Sequence, residues 1–284
     1  GLVYLLVFHY GPMVGILLAF KKFSPMEGFR GIFTGQWIGL ANFRQFFTSY
    51  YSLKLISNTV WIFFLRLIWG FPMPILLALL LNEVGSLRYK KLVQTVSYFP
   101  HFVSYVVILA IVRKFFSTDG GYVNAVRNAM GLDSILFMSD ARYFRSILVG
   151  SGVWNGVGWG SIIYLAAITG VDPQLYEAAT IDGASRLRQV WHITLPGIAP
   201  IISIQLILRM GGIMNAGFDQ ILLFYSPAVY DVADIIDTYV YRIGLGSMKY
   251  GFATAIGLFK SAIGLLFVIG TDRLARWIGQ EGIW

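Results

Sequence analysis

The chain has 284 residues, 57% of them hydrophobic and only 13% charged, with a formal net charge of +8 and a mean hydropathy of +0.67. A soluble domain carries about 25% charged residues, so this composition excludes an ordinary water-soluble protein and points to an integral membrane one. There is no cysteine, which excludes a disulfide framework and thiolate metal or redox chemistry; in a membrane protein the positive charge answers to anionic headgroups or an anionic substrate as readily as to nucleic acid.

A membrane-spanning helix needs about 20 mostly apolar residues. From the N-terminus onward, six stretches meet that requirement: residues 1–20, 58–81, 92–112, 144–169, 197–224 and 250–270. The expectation is an all-α polytopic protein with about six spans. The first stretch is too long for a signal-peptide core and follows no basic segment; it opens on Gly1 rather than Met, which leaves room for residues upstream. Of the intervening segments, 21–57 and 113–143 are long and mixed, and the second contains "GGYVNAVRNAM", which predicts a short interfacial helix. Segment 82–91 is short and basic, 170–196 is polar, and 225–249 is aromatic and acidic. Six spans put both termini, 82–91 and 170–196 on one side. Lys and Arg occur at similar density on the two sides, so charge alone leaves orientation open.

The 170–196 cassette has strong local signals. Asp172-Pro173 predicts a capped helix start. Gln174 to Asp182 are good helix formers, Gly183 suits a left-handed C-cap, and Ser185 can cap a second segment, Arg186 to His192, that Pro196 is expected to stop. Ala178 and Ala179 leave room for another backbone, with Glu177 a fixed charge beside them. That is the form of a docking knob; the alternative is an ordinary amphipathic helix on the membrane surface.

A charge at bilayer depth is costly and usually faces a cavity or a partner. The spans hold Arg66, Arg209 and Lys260, with Asp219 near the end of the fifth. At helical spacing Gln205, Arg209, Gly212, Ala216, Asp219 and Gln220 form one stripe, the best candidate lining for a polar pathway. Asn155 with Trp154 and Trp159 in the fourth span, and His101 in the third, are further candidates, the tryptophans as stacking surfaces for sugar rings. The alternatives are snorkelling or interhelical hydrogen bonds for Arg66 and Lys260, and plain packing for the tryptophans. Two small-residue repeats, Gly152-Gly156-Gly160 and Ala253-Gly257-Ser261, predict close helix packing, against a second subunit. No catalytic constellation emerges. "GLFKS" lacks the Gly directly before Lys that a phosphate loop needs. His9, His101 and His192 lie on different segments without metal-ligand spacing, and Ser161 has no G-x-S-x-G context.

Glu177-Ala178-Ala179, three residues, Gly183, nine residues and Ile193-Thr194-Leu195-Pro196 match an EAA-x3-G-x9-I-x-L-P signature. In this the chain resembles permease subunits of bacterial binding-protein-dependent ABC importers. "FPMPILLALLLNEV", "QTVSYFPHFVSYVV", "GWGSIIYLAAITGVDPQLYEAATIDGAS" and "DTYVYRIGL" resemble one carbohydrate-permease subgroup associated with complex and uronic oligosaccharides. The resemblance covers essentially the whole chain. It implies a type I ABC importer permease fold as a single domain over 1–284, without enzymatic activity. Segment 170–196 would be its cytoplasmic coupling loop, with Tyr176, Glu177, Ala178, Ala179, Asp182, Gly183, Ala184 and Pro196 at the ATPase contact. It also implies no cofactor in this chain, ATP and Mg being bound by two partner ATPase subunits. A second permease subunit (a heterodimer) and an extracytoplasmic solute-binding protein complete the assembly in the bacterial inner membrane, amid lipid and without nucleic acid. Both termini and Thr180 would be cytoplasmic, Gly28 and Val229 outside. The expected cargo is an oligosaccharide, and an anionic one of the alginate type, because Arg66, Arg209 and Lys260 face only Asp219 within the spans. The alternatives are a neutral oligosaccharide, or a stand-alone secondary transporter or channel. The last has no use for a docking cassette, and inverted repeats, expected in many such proteins, are not seen.

Overall fold

The computed structural model describes residues 1–277 and Gly279. Apart from one isolated bridge between Lys21 and Trp37, the described residues form helices and turns. Four helices are long and apolar enough to cross a membrane: α1 (Leu2–Phe20), and, in labels that follow chain order, α3 (Ser52–Glu83), α9 (Arg186–Gly211) and α12 (Tyr250–Trp277). Between them lie α2 (Ala41–Phe47), α4 (Leu87–Phe102), α5 (Tyr105–Phe116), α6 (Tyr122–Ala129), α7 (Ala141–Thr169) and α8 (Pro173–Ile181). After α9 come α10 (Phe218–Phe224) and α11 (Ile236–Gly244). Helix α6 is the short helix expected from "GGYVNAVRNAM".

Two expected spans are not single helices. Stretch 92–112 is split between α4 and α5, which meet at 104°. Pro100 lies in the 3-10 turn Phe99–Phe102, and Ser104 restarts the chain by accepting the Val107 N–H at 3.5 Å. A proline removes a ladder hydrogen bond and crowds the preceding turn, so the apolar run continues while the helix does not. Counted as one span, this pair brings the total to five. Stretch 197–224 is broken as well. Helix α9 ends at Gly211, and α10 begins only after Gly217, whose φ of 84° is left-handed. L side chains avoid that region, so glycine holds the turn.

Helix α7 is 29 residues long, ample for a membrane, but less apolar than the four long helices above. It packs against α3, α4, α9 and α10 and buries Asn155, Ser161 and Tyr164 among them. Its buried polar groups find partners there: Asn155 donates to the Pro100 carbonyl and Ser161 to the Gly158 carbonyl. Helix packing in lipid draws on close contact rather than on water exclusion, and small residues serve it here within the chain. A Cβ on Gly160 would meet Pro74 at 3.0 Å, and one on Gly152 would meet Gln220 at 3.3 Å. Gly160 and Gly152 of the repeat therefore approach α3 and α10 of their own chain, while a Cβ on Gly156 would meet nothing within 4 Å.

The buried apolar side chains form three clusters. Ile62, Ile108, Leu148 and Ile221 gather around α7 and α10. Phe46, Phe63, Ile213 and Phe252 link α2, α3 and α12. Ala78, Tyr164, Ile168 and Ile198 lock α3, α7 and α9 together next to the cassette. Helix α1, by contrast, is only 6% buried.

Candidate coupling and translocation site

The cassette assembles from local rules. The Asp172 carboxylate accepts the Gln174 N–H at 2.9 Å and starts α8. At its other end Gly183 has φ 75°, and the Ala184 N–H reaches back to the Ala179 carbonyl at 2.8 Å, which closes the helix in a Schellman-type turn. Ser185 accepts the Arg188 N–H at 3.4 Å. Side chains then brace the two arms. Gln189 Nε2 donates to Thr180 Oγ1 at 3.1 Å and to the Ala184 carbonyl at 3.3 Å, while the Tyr176 and Thr194 hydroxyls share a 2.9 Å hydrogen bond. One expectation fails: Pro196 does not stop the second arm. Helix α9 runs through it, because residues Val190–Thr194 form a wider π turn, with the Leu195 N–H donating to the Val190 carbonyl. That wider turn accommodates a ring that a tight α-turn would reject.

Among the described residues the outer face of the cassette has no partner. No residue of α8 is buried; Glu177, Ala178, Asp182 and Gly183 are exposed, with Ala179 and Ala184 half-buried. Ile181 is 87% exposed and Leu187 68%. Arg186 approaches Glu83 at the end of α3 at 3.7 Å, and between α3 and the cassette lies a hollow of about 970 Å³ lined in part by Glu83, Tyr176 and Glu177.

Deeper in the chain the structure redistributes the expected pathway residues. Because α9 stops at Gly211, the proposed stripe does not exist as one helix face. Gln205 and Arg209 stay on α9, while Asp219 and Gln220 belong to α10. Gln220 is fully buried. Its Nε2 donates to the Leu148 carbonyl at 3.1 Å and to Ser151 Oγ at 2.9 Å, and its Oε1 accepts from Arg66 Nη2 at 2.6 Å. It braces Arg66 from within the core. Asp219 is exposed. Lys260 pairs with Asp237 and donates to Asn215 Oδ1 at 3.0 Å, so its charge is neutralised by a residue outside the spans. The comparison of three cations with Asp219 alone therefore overstates the positive field. Arg66 and Arg209 remain. They line one cavity of about 150 Å³ with Gly70, Gly152 and Gly156, and Arg209 also sits over the Phe71 ring at 5.7 Å. Arg66 does not snorkel.

Asn155 is buried and donates to the Pro100 carbonyl at 2.6 Å, so it ties α7 to the break between α4 and α5. His101 stacks on Trp159 with ring centroids 4.6 Å apart and planes at 4°; both rings are exposed at that break. Trp154 is elsewhere, in an apolar hollow of about 600 Å³ with Phe115 and Tyr143. The two tryptophans do not flank one site.

A polar network at the far end of α3 went unread in the sequence. Asn58 donates to the Asp231 and Asp234 carbonyls at 3.1 and 3.0 Å, and Arg145 donates to Asn58 Oδ1 at 2.7 Å. Asp234 pairs with Arg242 at 2.6 Å. Burial alone would lower the pKa of Arg242; hydrogen bonding to Asp234 and the charge of that carboxylate outweigh it and raise it. The acidic, aromatic composition of 225–249 was the available signal. Among the described residues no group of three His, Asp or Glu is placed to hold a metal ion.

A family model described as "Binding-protein-dependent transport system inner membrane component" matches residues 70–280. The chain belongs to this family. It is a multi-pass inner-membrane permease subunit, and the ATPase of such a transporter is a separate chain. The permease is 45% identical over 284 residues to YteP of Bacillus subtilis (strain 168), a polygalacturonan/rhamnogalacturonan transport system permease protein, covering 100% of this chain and 88% of YteP. A solved structure of a bacterial ABC transporter involved in the import of the acidic polysaccharide alginate is similar at a TM-score of 0.90 and 41% identity, over 98% of this chain and 93% of that one. A second, a bacterial alginate ABC transporter in complex with an alginate pentasaccharide-bound periplasmic protein, matches at a TM-score of 0.90 and 40% identity, over 99% and 93%. The permease thus has the type I ABC importer fold. Four of its helices, or five spans with the bent α4–α5 pair counted as one, pass the length and apolarity test, and the 29-residue α7 is long enough to cross as well.

Proposed function

We propose that the permease carries oligosaccharides inward as half of a heterodimeric channel, powered by two ATPase subunits that bind ATP and Mg and loaded by a solute-binding protein. The cargo is anionic, an oligouronide of the alginate type. The observation that carries the coupling role is the cassette: a preformed, internally braced hairpin whose apolar and small side chains Ile181, Leu187 and Ala178 are bare. Such a surface is built to be covered by another protein. Residues Tyr176 to Ala184 are the contact, and Pro196 passes motion from it into α9. The cargo reading draws on relatives whose names carry uronic polymers and on Arg209, an exposed guanidinium with no ion pair among the described residues. One domain spans 1–284, with the cassette and the N-terminus on the cytoplasmic side. The C-terminal end, expected there too, lies outside the described residues.

Two measurements test this. In proteoliposomes holding the whole complex, an oligouronide should stimulate ATP hydrolysis and its carboxyl-reduced counterpart should not; equal stimulation by the neutral sugar refutes the anionic cargo. Single cysteines test the topology, since the chain has none. Val229 is buried, so Ala228 and Met26, both exposed, are the external sites. An impermeant thiol reagent on intact cells should mark those two and spare Ile181→Cys; labelling of Ile181→Cys reverses the orientation.

A further inference from the structure

We propose that Arg66 and Arg209 together form a carboxylate subsite inside the membrane, which takes one uronate carboxylate of the passing sugar. The proposal rests on the anionic reading above and adds the residues that sense the charge. Both guanidiniums line one cavity, whose remaining wall is glycine and valine. Among the described residues no acidic side chain lines it. Arg66 lies near the middle of the 32-residue α3, and Arg209 lies just before the break that ends α9.

Arg66 is only partly satisfied. Its Nη2 donates to Gln220, a neutral amide that leaves the charge uncompensated, and its Nε is buried with no hydrogen-bond partner among the described residues. Lys260 and Arg242 each have a carboxylate. A buried cation without a counter-ion is unfavourable, and an anion arriving in the cavity relieves that cost while it is bound. The guanidinium fork matches a carboxylate with two parallel N–H donors, and a sugar hydroxyl does not need it. The surroundings fix the fork in place. Gln220 is held in turn by Leu148 and Ser151, and a Cβ on Gly217 would lie 2.2 Å from Arg66 Nη1. Glycine lining leaves the cavity open: a Cβ on Gly156 meets nothing within 4 Å.

The test is equilibrium binding of an oligouronide and of its carboxyl-reduced counterpart to the purified whole complex. Arg66→Gln and Arg209→Gln should each weaken oligouronide binding at least about tenfold, the scale of one charge-assisted hydrogen bond. The double variant should lose less than the product of the two, because both act on one carboxylate. Should Arg66→Gln fail to assemble, Gly156→Val fills the cavity while keeping both arginines, and the same loss is expected of it. Unchanged oligouronide affinity in assembled Arg66→Gln or Gly156→Val overturns the subsite alone. Equal binding of both probes by wild type overturns the anionic cargo. If the arginine variants shed the second permease yet retain oligouronide affinity, the cavity receives a partner's carboxylate and the subsite is refuted.

Discussion

In the cassette, α8 buries no residue against the rest of the chain, whereas at the break between α9 and α10 Ile213 and Gln220 are almost wholly withdrawn from solvent. Both regions are helix–glycine–helix, with a left-handed glycine at the joint, Gly183 in one and Gly217 in the other. What differs is where their hydrogen bonds go. The cassette satisfies itself through Asp172, Ser185, Gln189 and the Tyr176–Thr194 pair. The break is held by Arg66 and Ser151, on helices distant in sequence. A lesion in the cassette should therefore leave the membrane body standing and remove a function. A lesion in the body should lower stability first.

The harshest way to test that contrast is Gly158→Val. A Cβ there would lie 2.0 Å from the Ser97 carbonyl oxygen and 2.8 Å from the Tyr98 nitrogen, both backbone atoms that cannot turn aside. Helices α4 and α7 would have to separate. Overpacking of this kind costs about 3 kcal/mol or more. Thermal unfolding of the purified complex should move down by several degrees; an unshifted Tm would show that the close approach carries no strain.

A smaller loss is expected from the Lys260–Asp237 pair, whose side chains are 12% and 22% exposed. Asp237→Asn leaves the ammonium without its counter-ion, at a cost of roughly 2–3 kcal/mol, below the fully buried limit. Asp237→Asn combined with Lys260→Met should recover most of that stability, since the stranded charge is gone. If the double variant is as unstable as the single, the pair is not what neutralises Lys260. Asn155→Ala belongs to the same class. It frees the Pro100 carbonyl, costs about 1–2 kcal/mol and should loosen the α4–α5 corner, read as faster hydrogen exchange over residues 99–104.

These regions also differ in how far the sequence disclosed them. The cassette's constraints lie within one short run of residues, so caps, glycine and signature spacing could be read directly, and only the passage through Pro196 was missed. The membrane segments were legible as apolar stretches, but apolarity reports compatibility with lipid, not an unbroken helix. Pro100 and Gly217 mark both breaks, and each sits in a run apolar enough to hide it. Once α9 ends at Gly211, angular spacing cannot place Gln220 beside Arg209. Nor does any local pattern say that Asp237 reaches Lys260 or that Gly160 meets Pro74, because those meetings depend on how the helices are arranged.

The smallest expected change in stability comes with the most specific loss of function, and Gly183→Asp is the variant that separates the two. At φ 75° a non-glycine residue is strained, though aspartate tolerates this region better than most; the cost is about 1 kcal/mol. A Cβ there meets nothing within 4 Å, so nothing in this chain is displaced and the Tm should fall by little. The side chain would instead project from the exposed end of α8 and add a negative charge at the surface proposed to meet the ATPase. Desolvating that charge at a protein contact is unfavourable unless it finds a partner. Assembly with the second permease should persist while ATPase co-purification and uptake are lost. A Gly183→Ala control carries similar backbone strain without the charge and should retain a larger share of both. Full uptake by Gly183→Asp would remove the cassette from coupling, and a large fall in Tm would show that it is no independent module but part of the membrane core.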